Sequence, residues 1–186
     1  NQDHDLLYNL VKGVIKMKRN LDYIAGSYAS GQKYEETPLK IKILLYLALY
    51  QLLYCDSIPE YAAVNESVEM ANKLYGDKIG GFINAVLRTH LRQQSVTYPA
   101  DPVEKLASIY SFPSELIDIW MENWGYYDTE KICQYFNRVP LLNLRVNRFA
   151  TDCDRLIQYF SRRGLKLDHS PISENILVTD QAREVL

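Results

Sequence analysis

Ile43-Leu44-Leu45-Tyr46-Leu47-Ala48-Leu49-Tyr50-Gln51-Leu52-Leu53-Tyr54 is the stretch on which the fold turns. A helix through it is apolar on nearly every side, and such a helix is normally wrapped by others. The run is too short to cross a bilayer and contains Gln51. Thr37 is expected to cap this helix and Pro38 to open it, because the missing proline N–H is no loss in a first turn. The flanking sequence supplies the wrapping. Leu6, Leu7, Leu10, Val11, Val14 and Ile15 recur at three- and four-residue steps, the mark of a helix with one apolar face. Leu21, Ile24, Ala25 and Tyr28 give a shorter helix that Gly31 should stop. After a break at Asp56 and Pro59, Val64, Val68, Ala71 and Leu74 form a stripe ending near Gly76. Ile79, Phe82, Ile83, Val86, Leu87 and Leu91 form the next, and Gly80-Gly81 at its start predicts a close helix contact. Residues 1–95 therefore read as a helical bundle.

The rest of the chain changes character twice. Ser95 to Pro102 reads as a linker, followed by short helices at Val103 to Tyr110, Ser114 to Trp124 with Gly125 as its stop, and Asp128 to Asn137 capped by Asp128. Leu116, Ile117, Trp120 and Trp124 supply their apolar side. Residues 96–138 thus form a linker and helical connector. After Pro140 the period drops from near 3.6 to 2. Leu142, Leu144 and Val146 alternate with Asn143, Arg145 and Asn147, as in a strand. Thr151 or Asp152 caps a helix carrying Leu156, Ile157 and Phe160, closed by Gly164. Leu165 and Leu167 begin a second strand, and Ile176 to Thr179 a third. The order β-α-β-β over residues 139–186 is the start of an α/β subdomain with too few strands for a covered sheet, so further chain is expected after it. The fold class is mainly α, a bundle followed by short helices and an incomplete α/β subdomain.

Composition excludes several classes. The chain of 186 residues is 47% hydrophobic and 24% charged, values of a globular protein rather than a disordered one. No charged-then-apolar leader opens it, and no membrane association is expected. Cys55, Cys133 and Cys153 are far apart, without a CxxC, and His4, His90 and His169 form no ligand spacing with them. A disulfide framework or a metal site is not expected, and a reducing cytoplasm fits. The 15 tyrosines are expected at half-buried helix positions, where the ring packs and the hydroxyl reaches water. Net charge is −2, but it is segregated: residues 101–137 hold two basic and seven acidic side chains, and residues 138–166 hold seven and two. A local excess of cations attracts phosphates even in an acidic chain.

Leu49-Tyr50-Gln51-Leu52-Leu53-Tyr54, Ile58-Pro59, Ala63-Val64-Asn65-Glu66 and Gly81-Phe82-Ile83-Asn84-Ala85-Val86-Leu87-Arg88, in this order and spacing, resemble the NusB-like RNA-binding domain. Phe112-Pro113-Ser114 with Leu116-Ile117, and Pro140 followed by Leu144-Arg145-Val146-Asn147 and Thr151, extend the resemblance to the Sun/RsmB-type ribosomal RNA cytosine-5 methyltransferases, which carry a NusB-like domain and then a subdomain like an RNA-recognition motif. The resemblance covers essentially the whole chain. It implies small-subunit ribosomal RNA as partner and S-adenosylmethionine as the parent's cofactor, with a C-terminal methyltransferase domain missing here. It also implies a leading helix ahead of the one at Leu6, which this chain is expected to lack. The family's catalytic cysteines follow a proline and a threonine, whereas the cysteines here follow Tyr54, Ile132 and Asp152. No catalytic residue is assigned, and the chain alone is expected to be inactive.

Candidate RNA contacts are basic. Arg88 and Arg92 lie one turn apart on the polar side of a helix, where they are either solvated charges or phosphate contacts. Lys16, Lys18 and Arg19 end a helix, where cations also favour the dipole. Arg138, Arg145 and Arg148 flank and share the first strand, with Arg145 on the face opposite Leu144 and Val146. Arginine can grip phosphate with a bidentate fork and stack on bases. Arg162, Arg163 and Lys166 are further candidates at a helix end. Asn65, Glu66 and Asn84 are expected to form buried polar pairs between helices. Two alternatives remain: a NusB-like antitermination factor without enzymatic activity, and a protein-interaction scaffold using the acidic helices.

Overall fold

A computed structural model describes residues 2–29 and 32–180. The chain divides into two compact units, Asn1–Gln134 and Tyr135–Leu186.

The first unit is helical: α1 (Gln2–Lys16), α2 (Lys18–Tyr28), α3 (Gln32–Glu35), α4 (Leu39–Tyr54), α5 (Glu60–Tyr75), α6 (Asp77–Gln93), α7 (Pro102–Tyr110) and most of α8 (Ser114–Asn137). As expected of an all-round apolar helix, α4 is central. It packs against α1, α2, α5 and α6, with Ile41, Leu44, Leu45, Tyr46, Ala48 and Leu49 buried. Its start differs from expectation. Pro38 holds an extended conformation at the N-cap position, and no side chain caps the helix, so Thr37 falls one residue too early. Gly31, the expected stop of α2, lies outside the described residues.

Two apolar stripes are only partly used. In α1, Val14 is buried while Leu6, Leu7, Val11 and Ile15 stay exposed. The helix crosses α4 at Gly13, which lies against the ring of Tyr50, and that crossing covers one side of a wide stripe. In α5, Leu74 is exposed and Ser67 is buried in its place, because the buried face follows Ala63, Val64, Ser67 and Ala71. Asn65 and Glu66 therefore point to solvent, and Asn84 is only half-buried, so these are not the buried polar pairs expected. Of the two glycines opening α6, Gly80 is the close contact. It is buried, and a Cβ there would meet Asn72 Oδ1 and the carbonyl of Val68, whereas Gly81 faces open space.

The buried polar groups lie elsewhere. Asn20 donates through Nδ2 to the Tyr98 hydroxyl and the Ser108 carbonyl, each at 3.0 Å, and its Oδ1 accepts from the Tyr54 hydroxyl at 3.2 Å. Asp22 Oδ1 accepts from Tyr34 at 2.6 Å and from Tyr46 at 2.5 Å. Burial first, then these bonds to Asp22, raise both phenol pKa values. The segment after α6 is strapped to α2: Tyr98 stacks on Tyr23 with ring centroids 5.2 Å apart, and the Tyr23 and Tyr28 hydroxyls donate to the carbonyls of Thr97 and Ser95.

Asp101 caps α7 by accepting from the Glu104 N–H. The expected stop at Gly125 holds: its φ of 72° and ψ of 174° are non-helical and divide α8 into two helical arms. Asp128 lies inside the second arm, paired to Lys131 at 2.8 Å. Leu106, Ala107, Ile117 and Cys133 form a small core with Trp120 packed on it. Trp124, expected in that core, is exposed, because the kink follows it directly.

In the second unit, β1 (Leu142–Arg145), α9 (Cys153–Ser161), β2 (Asp168–His169) and β3 (Ile176–Thr179) give an antiparallel sheet of order β1-β3-β2. The β-α-β-β reading of the sequence holds. Leu165 and Leu167 are buried ahead of β2 rather than paired within it. Val146, Leu167 and Leu177 form the core, with Leu144, Leu156, Ile157 and Phe160 packed on it. Opposed residues of an antiparallel ladder share a face. The register Leu144↔Leu177 and Arg145↔Ile176 therefore puts α9 over the leucine face and leaves Asn143, Arg145, Ile176 and Val178 on the other.

Candidate nucleic-acid interface

The basic candidates meet different fates. Arg19 is a structural clamp. Its guanidinium donates to the Phe112 carbonyl at 2.9 Å, Glu104 Oε2 at 2.8 Å and Ser114 Oγ at 2.7 Å, and its backbone N–H reaches Ser111 Oγ. This ties α2 to α7 and to the start of α8. Lys16 and Lys18, its neighbours in sequence, are exposed, whereas the Arg19 guanidinium is taken up by protein partners. Arg88 Nε donates to Asn84 Oδ1 one turn back at 3.1 Å, which fixes the guanidinium along the exposed side of α6. Arg92 is exposed one turn further on.

The second unit separates its cations into two ends. Arg145 closes β1 with its side chain on the open face, and Arg148 follows in the loop to α9, both exposed. Among the described residues neither has an ion-pair or hydrogen-bond partner for its side chain. Arg138 precedes β1 and so lies toward the opposite end of the strand. Arg162, Arg163 and Lys166 also fall at that end, because α9 starts beside the end of β1 and runs back. Arg163 stacks on Tyr159, with its guanidinium carbon 3.7 Å from the ring centroid, and Lys166 pairs with Asp168 at 3.1 Å.

Local chemistry fixes the loop that carries Arg148. The side-chain Oδ1 of Asn147 accepts from the Phe149 N–H at 3.1 Å, and its carbonyl accepts from Ala150 and Thr151. Asp152 then caps α9 by accepting from the Arg155 N–H. The turn between β2 and β3 lies alongside: Val146 N–H donates to the Asn175 carbonyl at 2.8 Å, and Cys153 Sγ to that of Glu174 at 3.2 Å.

Two of the three cysteines sit where a thiolate is disfavoured. Burial pushes the Cys133 thiol up to about 11, and burial followed by Asp56 raises that of Cys55. A thiolate is the nucleophilic form, and neither environment favours it. Arg145 was legible from alternation. The role of Arg19 was not, since its partners lie more than 80 residues away.

Residues 1–92 match the NusB family, and residues 112–186 match the ferredoxin-like domain of the RsmF/B-like methyltransferases. The "Probable ribosomal RNA small subunit methyltransferase B" of Bacillus subtilis is 34% identical over 182 residues, 94% of this chain and 39% of the relative. The "Ribosomal RNA small subunit methyltransferase B" of Pseudomonas putida is 29% identical over 99% of this chain and 41% of its own length. The chain thus spans about two fifths of these curated relatives. The "Transcription antitermination protein NusB" of Acetivibrio thermocellus is 33% identical over 46% of this chain and 59% of its own. Among solved structures, a crystal structure of PH0851 matches with a TM-score of 0.61 at 16% identity, over 94% of this chain and 39% of that one, a likeness of fold. No helix among the described residues is long and apolar enough to cross a membrane.

Proposed function

The chain joins a NusB-family domain to a ferredoxin-like domain of the RsmF/B methyltransferase kind, and from this pairing we propose that it is the RNA-binding front region of a ribosomal RNA methyltransferase. In this reading it holds small-subunit ribosomal RNA for a catalytic domain in the length of the relatives that it does not span. The reaction is methylation at the 5-position of cytosine, in the cytoplasm. The observation that carries the RNA contact is the pair Arg145 and Arg148, two cations on one end of a small sheet with no partner among the described residues. Arg138, Arg88 and Arg92 are secondary contacts.

S-adenosylmethionine supplies the methyl group in such an enzyme. The described residues do not fit it: their glycines with positive φ, Gly76, Gly125 and Gly164, lie at helix ends or between the arms of α8 rather than in a turn after a strand. The donor is therefore assigned to the remaining length of the relatives, and no chemical step to this chain. The alternative, a non-enzymatic NusB-like factor, leaves the β-α-β-β unit without a role.

The test is RNA binding at several salt concentrations. Each phosphate contact contributes a fixed part of the salt slope. Arg145→Ala with Arg148→Ala should weaken binding and flatten the slope, and unchanged affinity and slope would remove this site. Incubation with methyl donor and ribosomal RNA should give no product, and methylation above background would refute the division of labour.

A further inference from the structure

The end of the sheet that holds Arg145 and Arg148 also holds Phe149, whose relative exposure of 105% is that of a side chain touching nothing. We propose that Phe149 is a stacking platform for an unpaired base, flanked by Arg145 and Arg148 on the adjoining phosphates. The inference rests on the RNA-binding reading and names the form of RNA that this end accepts: a single strand rather than a duplex.

Four observations support it. The backbone that carries the ring is a built turn, not a loose loop, since Asn147 bonds the N–H groups of Phe149, Ala150 and Thr151 and Asp152 caps the next helix. Only the two side-chain torsions of the ring are left to be ordered when a base lands on it. Second, an exposed phenyl leaves unused the free energy its burial would give, and successive bases stack on such rings regardless of sequence. Third, the same end carries Ile172, 86% exposed in the β2–β3 turn. That turn is fixed beside the end of β1 by the Val146–Asn175 bond.

The fourth observation is charge. Of the acids at this end, Asp152 is taken up by Arg155 at 3.2 Å, and among the described residues neither Asp154 nor Glu174 forms an ion pair with Arg145 or Arg148, whose guanidiniums stay open to phosphate. A protein partner would call for a broad apolar patch. Phe149 and Ile172 are separate exposed tips, and Ile176 and Val178 on the adjoining face are half-buried, an arrangement beside two unpaired guanidiniums that suits a nucleotide strand, whereas bases paired in a duplex have no open face to offer.

The measurement is fluorescence anisotropy of the whole chain with a labelled 12-nucleotide single-stranded RNA, and with the same strand annealed to its complement. Phe149→Ala should weaken single-strand binding about tenfold, or about 1.4 kcal/mol, and leave the salt slope unchanged. Phe149→Tyr should restore it, and Phe149→Trp should add an emission that the oligonucleotide quenches. The ring packs on nothing, so these variants should keep the parent melting temperature. Equal single-strand affinity of Phe149→Ala and the parent chain would overturn the inference while leaving the RNA-binding reading intact, as would duplex affinity matching that of the single strand. Failure of the parent chain to bind either probe would overturn both. Loss of self-association in Phe149→Ala, seen by sedimentation with RNA affinity unchanged, would reassign the ring to a protein contact.

Discussion

Arg19 and Arg145 are the same residue type put to opposite uses. In the helical unit Arg19 is enclosed by Phe112, Glu104, Ser111 and Ser114. In the α/β unit Arg145 stands on an open sheet face. The larger unit turns its polar side chains toward one another, and Asn20 and Asp22 follow the same pattern. The smaller unit, with a core cluster of three buried residues, leaves Arg145 and Arg148 to solvent. Counting positive charge by segment pointed to the second unit, and within it the lack of protein partners among the described residues is what singles out Arg145 and Arg148 as the proposed phosphate contacts.

Substitutions in the two regions should therefore differ in kind. Leu45→Ala, in the fully buried centre of α4, should have the largest effect, about 2–5 kcal/mol of stability by urea unfolding. A loss below 1 kcal/mol would mean that α4 is not the hub. Arg19→Ala should follow at about 1.5–3 kcal/mol, the range for hydrogen bonds to a charged group, with faster amide exchange in α7. Arg145→Ala should change stability by less than about 0.5 kcal/mol, and equal losses from the two arginines would erase the contrast.

The glycine pair sharpens the comparison within one helix. Gly80→Ala should destabilise by about 1–3 kcal/mol through overpacking, and Gly81→Ala should stabilise by about 0.5–1 kcal/mol through lower chain entropy. Chemical denaturation of both variants would show the opposite signs. The smallest effect expected is that of pH on the bundle. Burial lowers the pKa of His90, opposed by Glu60, and its Nδ1 has no hydrogen-bond partner among the described residues. The unfolded chain then takes up its proton first as pH falls, so stability present above about pH 6.5 declines below it. The melting temperature should drop between pH 7 and 5, and His90→Gln should flatten that drop.

The sequence made the elements legible where periodicity was strong. The apolar run of α4 placed the centre of the bundle, and the change of period after Pro140 placed β1 and β3. It was less informative about what each element touches. Asn65 and Glu66 looked like buried pairs because a family pattern contains them, yet the helix turns them outward, while Asn20 gave no signal because its three partners come from residues 54, 98 and 108. Leu7 and Val11 match the pattern of a buried stripe, and periodicity cannot say how much of a stripe a neighbour covers. At the candidate site, alternation gave the face of Arg145. The exposure of Phe149 depends on the Asn147 turn, which no period encodes.

The carboxylate of Asp22, accepting two tyrosine hydroxyls on one oxygen, bears on how this protein can change over generations. Replacing Asp22 alone strands two phenols in the interior, and replacing Tyr34 or Tyr46 alone leaves a hole beside a half-satisfied acid. Each single step is worse than the combined exchange, so the three positions should be inherited as a block. Lineages that abandon the trio should have switched all of it to apolar residues, and a lineage carrying a lone Asp22 should be rare.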